Sequence, residues 1–423
     1  MPQFSTILQR FPELAEHSVA PPALLPFAGI DDAERELSAM CAAGAPARAF
    51  AMLGNVMVRR GRYLDALEAY RNAADLDPSD ALAAWACAEI AYVLDDGATS
   101  VAYRTRALAL QRVFPDPLSV AERTPVLLLL RDAPYAVNAP LELLLDRKRF
   151  AIHKYYVEGE ALPALPPFAL AFTAFGSAHA ASTATQRASA FVAGRGLPIN
   201  DPAKLGGIAR ETLASTLAGI DQVAVAGARI VDAAEVASVT LPALVRPVDT
   251  HAGEGFALLA DGGDVHRHLA RFPAAQYYCS DFVEYRSADG LYRKFRAIFV
   301  DGVAYPYHLA IAPSWMVHYQ SAPMRESSAL RREELGFLEA PQRVLPSWDR
   351  VMPRIADAIG LDYFGIDASL MPDGRLLVFE ADAAMLVHDE EARDVFAYKR
   401  PFVARIRDAL QTSITRRTRQ RIP

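Results

Sequence analysis

The chain has 423 residues, 52 % of them hydrophobic and 22 % charged, with a formal net charge of −6. Such a composition suits a globular protein with a large buried core, spread over roughly two to four domains. It leaves no basic footprint for nucleic acid, and the Arg-rich end reads as a local solvated tail. Cys41, Cys87 and Cys279 are widely spaced and odd in number. They make neither a disulfide framework nor a CxxC metal pair, which fits a reducing cytoplasm. No basic stretch followed by an apolar run opens the chain, so no signal peptide is expected. The most apolar window, 166–178, is too short to span a bilayer, so no membrane partner is expected.

Residues 1–30 carry Pro21, Pro22 and Pro26 in a weakly amphipathic stretch, which reads as a loosely ordered arm. Residues 31–43 predict a helix with acidic residues in its first turn. In ARAFAMLGNVMVRRGRYLDALEAYRNAADLDPSD, the residues Phe50, Leu53, Gly54, Gly61, Tyr63, Ala66, Tyr70, Ala73 and Pro78 have the spacing of two antiparallel helices. Small residues allow close crossing, large ones fill the gaps, and Pro78 ends the second helix. Over these 34 residues the pattern resembles a tetratricopeptide repeat, and 81–114 resembles a degenerate second one. So short an array cannot bury both faces. Residues 31–115 are therefore expected to lean on the next domain or on another chain, either as an accessory cap or as a partner-binding or self-associating module.

Residues 124–215 alternate apolar strand-length runs (124–130, 150–157, 167–174, 197–200) with helical patterns (139–147, 185–194), which predicts an α/β half-domain. In 216–286, LPALVRP is a strand ending in the cation Arg246. It is followed at once by the Gly-rich turn Thr250-His251-Ala252-Gly253-Glu254-Gly255, whose backbone N–H groups can approach phosphate. QYYCSDFVEY (276–285) reads as a further strand. In 287–410, residues 291–300 alternate Lys294 and Arg296 on one face with Phe295, Ala297 and Phe299 on the other. Asp301-Gly302 turns the chain into a returning strand, 303–311. Helices are expected at 348–360 and 394–412, with a basic tail over 411–423.

Residues 361–388 read as a hairpin, 363–370 and 375–381, around Met371-Pro372-Asp373-Gly374. An even-length loop pairs Leu370 with Arg375, Asp367 with Val378 and Gly365 with Glu380. Asp367, Glu380 and Asp382 then share one face. An odd loop or a β-bulge breaks that sharing. Three carboxylates on a mostly apolar hairpin either sit in solvent or hold a hard cation, Mg²⁺ or Mn²⁺.

The stretch GID…PDGRLLVFEAD resembles the metal-binding hairpin of ATP-grasp ligases of the glutathione-synthetase and ribosomal-protein-S6-modifying type. Asp382 stands here in place of the usual Asn. The resemblance extends in order over roughly 124–410. It implies a fold class of α/β: an ATP-grasp arrangement of α/β N-domain, nucleotide lid and catalytic antiparallel sheet, preceded by a short all-α tetratricopeptide-like module. It implies ATP and Mg²⁺ (or Mn²⁺) as cofactors, with Asp367, Glu380 and Asp382 as metal ligands. Arg210 and Arg246 stand where the family places Lys on nucleotide. His251, Gly253 and Gly255 form the phosphate loop, and Asp281, Phe282, Val283 and Glu284 the adenine and ribose contacts. Arg296, with Lys294, lies near the γ-phosphate. His308, Trp315 and His318 line the acceptor pocket. The implied activity is ATP-dependent carboxylate–amine ligation through an acyl phosphate, on small-molecule or peptide substrates. The alternative is an inactive nucleotide-binding module that acts as a scaffold through its helical repeat.

Overall fold

The computed structural model describes residues 7, 10, 11, 14, 26–117, 122–176, 182–196, 198–248, 250, 255–388 and 395–420. The chain divides into two compact units, Met1–Phe175 with Arg417–Pro423, and Gly176–Arg416. The division falls inside the segment read from sequence as one α/β half-domain.

The first unit opens with helices Ile30–Ala42, Ala47–Arg59, Tyr63–Leu76, Ala81–Val93 and Gly97–Leu110. The crossing of the second and third is as close as the small residues suggest. A Cβ at Gly54 would lie 2.5 Å from the Tyr70 ring, and the Tyr70 hydroxyl donates to Asn55 Oδ1 at 2.5 Å. The arm is not loose where it is described. Ile7, Phe11 and Leu14 are buried against Ile30, Leu37, Met52 and Val56, and Asn55 Nδ2 donates to the Leu14 carbonyl at 2.9 Å. Apolar spacing in a proline-bearing stretch was masked by the prolines.

Four strands follow, β1 (Val113–Phe114), β2 (Thr124–Leu130), β3 (Phe150–Tyr156) and β4 (Leu170–Thr173), in the order β1-β3-β2-β4. β3 and β4 run parallel to β2, and β1 runs antiparallel to β3. Only a 3₁₀ turn, Leu141–Leu143, forms where a helix over 139–147 was expected. Pro140 precedes it, and Asn138 folds the chain back by donating to the Ala133 carbonyl at 2.8 Å. Helix Ala81–Val93 is apolar all round because it is covered on both sides. One face meets the helices. The other sets Trp85 on Tyr156, with ring centroids 4.4 Å apart, and Glu89 under the Tyr135 amide at 3.2 Å. The helical block thus leans on the adjoining sheet, the first of the two expected arrangements.

In the second unit, helix Thr183–Val192 leads to a 3₁₀ stretch, Pro202–Ile208. Leu197 lies outside the described residues, and 198–200 form no strand. Instead Asn200 takes a positive φ of 56° and clamps the backbone of Asp362 and Tyr363. Strands β5 (Val223–Val225), β6 (Arg229–Asp232), β7 (Ala243–Pro247), β8 (Ala257–Leu259) and β9 (Gln276–Asp281) come next. β6-β9-β7-β8 form one sheet. Then β10 (Tyr292–Val300), β11 (Val303–Ala312), β12 (Tyr363–Leu370) and β13 (Leu376–Asp382) build a second sheet with β5, in the order β11-β10-β12-β13-β5. Helices Ser328–Glu339, Trp348–Ile359 and Arg400–Arg419 complete the unit. The last starts later and runs further than the expected 394–412. Most of the basic stretch 411–423 is helix, since Arg near a helix C-terminus is favoured by the dipole.

Candidate functional site

The second sheet carries the polar residues. Cross-strand partners share a face. His308 on β11 pairs with Arg296 on β10, Arg296 with Asp367 on β12, and Asp367 with Glu380 on β13. One row of four polar side chains therefore crosses four strands of an apolar sheet. The hairpin register differs from the expected one. Leu370 faces Leu376 across an odd, five-residue loop, which alone would set Glu380 on the wrong face. A β-bulge between Asp367 and Ala368, with Phe379 as the extra residue, shifts the pairing back. Two one-residue offsets cancel, so Asp367, Glu380 and Asp382 share a face by a different route. A second bulge, with Tyr307 as the extra residue, lies beside Arg296.

Asp367 is 1 % exposed. Arg296 grips it with two hydrogen bonds, Nε to Oδ1 at 2.7 Å and Nη2 to Oδ2 at 3.1 Å. Lys294 Nζ adds a third to Oδ2 at 2.9 Å. Burial alone would raise the Asp367 carboxyl; the Arg296 and Lys294 charges outweigh it and hold it well below the usual carboxylate range. Glu380 is half-buried and receives Arg210 Nη2 at 2.6 Å on Oε2. Burial again opposes ionisation, and Arg210 again wins. Among the described residues Asp382 accepts only the Ala384 amide, at 2.7 Å on Oδ1. Burial, aided by the like charge of Glu380, pushes its carboxyl up to about 6. Gly176 lies against it; a Cβ there would fall 2.6 Å from Oδ1.

Among the described residues no three His, Cys, Asp or Glu are grouped to hold a metal ion. The physical reason is visible in Asp367, both of whose oxygens are engaged by cations. Glu380 and Asp382 fit a hard cation better. They are adjacent on one face, less buried, and carry carboxylate oxygens beyond those engaged by Arg210 and Ala384. Mg²⁺ commonly takes one or two carboxylates, with waters and phosphates in its other positions.

Arg246, buried on β7, donates Nε to Thr250 Oγ1 at 3.0 Å and Nη2 to the Thr250 carbonyl. It thus ties down the start of the Gly-rich turn. His251 and Gly253 lie outside the described residues. Gly255 has φ 62°, and a Cβ there would meet Pro247 at 2.7 Å, so glycine is required twice over. Asp281 ends β9 and is exposed. Phe282 packs edge-on to Trp315 at 5.8 Å, and Phe256 does so at 5.6 Å. Val283 follows, and Glu284 accepts the Arg286 amide at 2.9 Å. Trp315 thus packs between Phe256 and Phe282. His318 is exposed, and partial desolvation together with Lys294 lowers its imidazole. His308 is lowered further, by burial and then by Arg296 and Lys399. Sequence reading did not single out Tyr319, Glu334 or Lys399, all of which touch this region. No period or motif marks them.

No family model matches the chain, and no curated protein sequence does. Among solved structures it is similar to a RimK domain protein ATP-grasp from Sphaerobacter thermophilus, with 15 % identity over 68 % of this chain and 100 % of that one (TM-score 0.41). It is also similar to D-alanyl-alanine synthetase A from Vibrio cholerae, with 12 % identity over 71 % and 99 % (TM-score 0.43). A third is an L-amino acid ligase from Bacillus licheniformis, with 14 % identity over 69 % and 75 % (TM-score 0.41). Among the described residues no helix is long and apolar enough to cross a membrane.

Proposed function

We propose that the protein is an ADP-forming, ATP-dependent carboxylate–amine ligase acting on small-molecule or peptide substrates. The observation that carries this is the row Arg296–Asp367–Glu380 with Lys294 and Arg210. Three cations stand beside three carboxylates on one sheet face, with no nucleophile among them. Such a set suits phosphoryl transfer, in which the protein positions groups and neutralises charge.

In this reading the acid's carboxylate oxygen bonds to the γ-phosphorus of ATP, and the bond to the β–γ bridging oxygen breaks as ADP leaves. The amine nitrogen then bonds to the acyl carbon, and phosphate departs. Lys294 and Arg296 face the transferred phosphoryl oxygens, and Asp367 keeps both cations aligned. Arg246 and the turn from Thr250 to Gly255 hold the nucleotide phosphates. Glu380 and Asp382 hold the metal, which when bound neutralises phosphate charge. His308 and His318 face the acceptor.

The test is ADP release from ATP with Mg²⁺ and a mixture of amino acids and peptides, alongside calorimetric ATP binding with Mg²⁺ or EDTA. Acceptor-dependent ADP release and metal-dependent ATP binding are expected. Equal ATP affinity in EDTA defeats the metal assignment. ATP binding without turnover favours the second reading, an inactive nucleotide-binding module. That reading draws on the fact that Arg296, Lys294 and Arg210 already have carboxylate partners.

A further inference from the structure

His308 ends the charge row, 3 % exposed, and its Nδ1 has no hydrogen-bond partner. A buried ring nitrogen left open is costly unless a ligand uses it. The ring lies 4.8 Å from that of Tyr319, within the segment 313–327 that also carries Trp315 and His318. Tyr319 is held from two directions. Its hydroxyl donates to Glu334 Oε2 at 3.0 Å, and the Lys399 ammonium stands 4.0 Å over its ring face. Glu334 is 0 % exposed and Lys399 2 %. Lys399 Nζ is 3.8 Å from Glu334 Oε1, which also accepts the Leu309 amide at 3.1 Å, and the Tyr398 hydroxyl donates to Oε2.

Burying a Glu and a Lys carries a large desolvation cost, and a packed apolar pair would be as stable or more so. Stability alone therefore gives no reason for them. Their geometric effect is specific. They join helix Ser328–Glu339, β11, the turn Ala397–Lys399 and Tyr319 into one network in which Glu334 is fully partnered. Such networks fix a single arrangement. The residue beside Leu309 on β11 is His308, so the anchor and the open imidazole are adjacent in the chain and share the Tyr319 ring.

We propose that Glu334 and Lys399 are positioning residues for the acceptor side of the site. Through Tyr319 they hold the imidazole of His308 at the end of the row and fix segment 313–327, so that Nδ1 faces the N–H of an incoming amine. The assignment of the amine rests on the ligase reading; the anchor does not.

The experiment uses the full chain with Tyr319→Phe, which keeps the ring and loses only the hydroxyl, Lys399→Met, and Lys399→Arg. Deuterium exchange of peptides covering 313–327 is expected to rise about tenfold in Tyr319→Phe and Lys399→Met, and to return toward wild type in Lys399→Arg. Peptides covering 276–281 should not change. With an equimolar mixture of the twenty amino acids as acceptor probe, KM for the mixture should rise at least about fivefold while KM for ATP stays put. Unchanged exchange at 313–327 in Tyr319→Phe overturns the anchor. Parallel shifts in both KM values overturn its acceptor-side role. Wild-type protein without amino-acid-dependent phosphate release defeats the ligase reading instead, and the exchange result then decides the anchor alone.

Discussion

Glu89, in the helical block, and Asp367, in the antiparallel sheet, are both 1 % exposed, yet their carboxyls move in opposite directions. Glu89 receives one backbone amide and has Lys154 and Arg104 only as neighbours; burial pushes it up to about 8. Asp367 receives three hydrogen bonds from two cations and is held far below its usual range. Equal burial therefore does not set the charge of a carboxyl. Direct cation contact does, and of these two acids Asp367 has it. The helical block uses its buried acid as a neutral packing group, whereas the sheet keeps its acid ionised.

The largest expected effect follows from the sign of these shifts. A carboxyl raised in the folded state contributes stability that is complete below its unfolded value and is lost as pH climbs to the folded value. Unfolding free energy should thus fall by up to about 5 kcal/mol between pH 4.5 and 8 through Glu89. Urea titrations across that range should show the fall in wild type and a flattened profile in Glu89→Gln. A wild-type profile that matches the variant removes the contrast with Asp367. Asp367 gives the opposite sign, with stability lost only in strong acid.

Arg296→Ala leaves Asp367 buried with Lys294 alone. Removing one partner of a buried pair costs about 3–5 kcal/mol. A urea midpoint within error of wild type would show that Lys294 suffices. Smaller, and read in turnover, is the split between the two half-buried acids. Glu380→Gln should cut phosphate release from ATP about 100-fold. Asp382→Asn should keep or raise it, because a less neutralised ion is a stronger Lewis acid. The reverse ranking would mean that Asp382, not Glu380, is the principal ligand. Least of all, Arg246→Ala should weaken ADP binding by about 1.5–3 kcal/mol in calorimetry, and Arg246→Lys by less.

Much of the sheet was legible. Lys294 and Arg296 alternate with Phe295 and Ala297, and the Asp301-Gly302 turn is a local signal with both residues at positive φ. Hairpin existence followed from Pro372-Asp373-Gly374, but its register did not. Loop length and bulge position depend on cross-strand packing, which leaves no mark along one strand. The packing of Ile7, Phe11 and Leu14 in the arm was not legible, because prolines interrupt their stretch. Lys399 and Glu334 were invisible for another reason. A buried ion pair joins residues 65 positions apart by sequence number, and each alone resembles a surface residue.

The paired offsets in the β12–β13 hairpin carry a consequence for how this segment can vary. Phe379 is the residue left out of the ladder, so it acts as slack. Deleting it would leave 370↔376, 369↔377, 368↔378 and 367↔380 in unbroken register, and Glu380 and Asp382 would keep the face they share with Asp367. Deleting Ala381 instead would turn Asp382 to the opposite face, because no spare residue lies beyond Glu380. The strand can thus lose a residue before Glu380 and keep its site, but not after it.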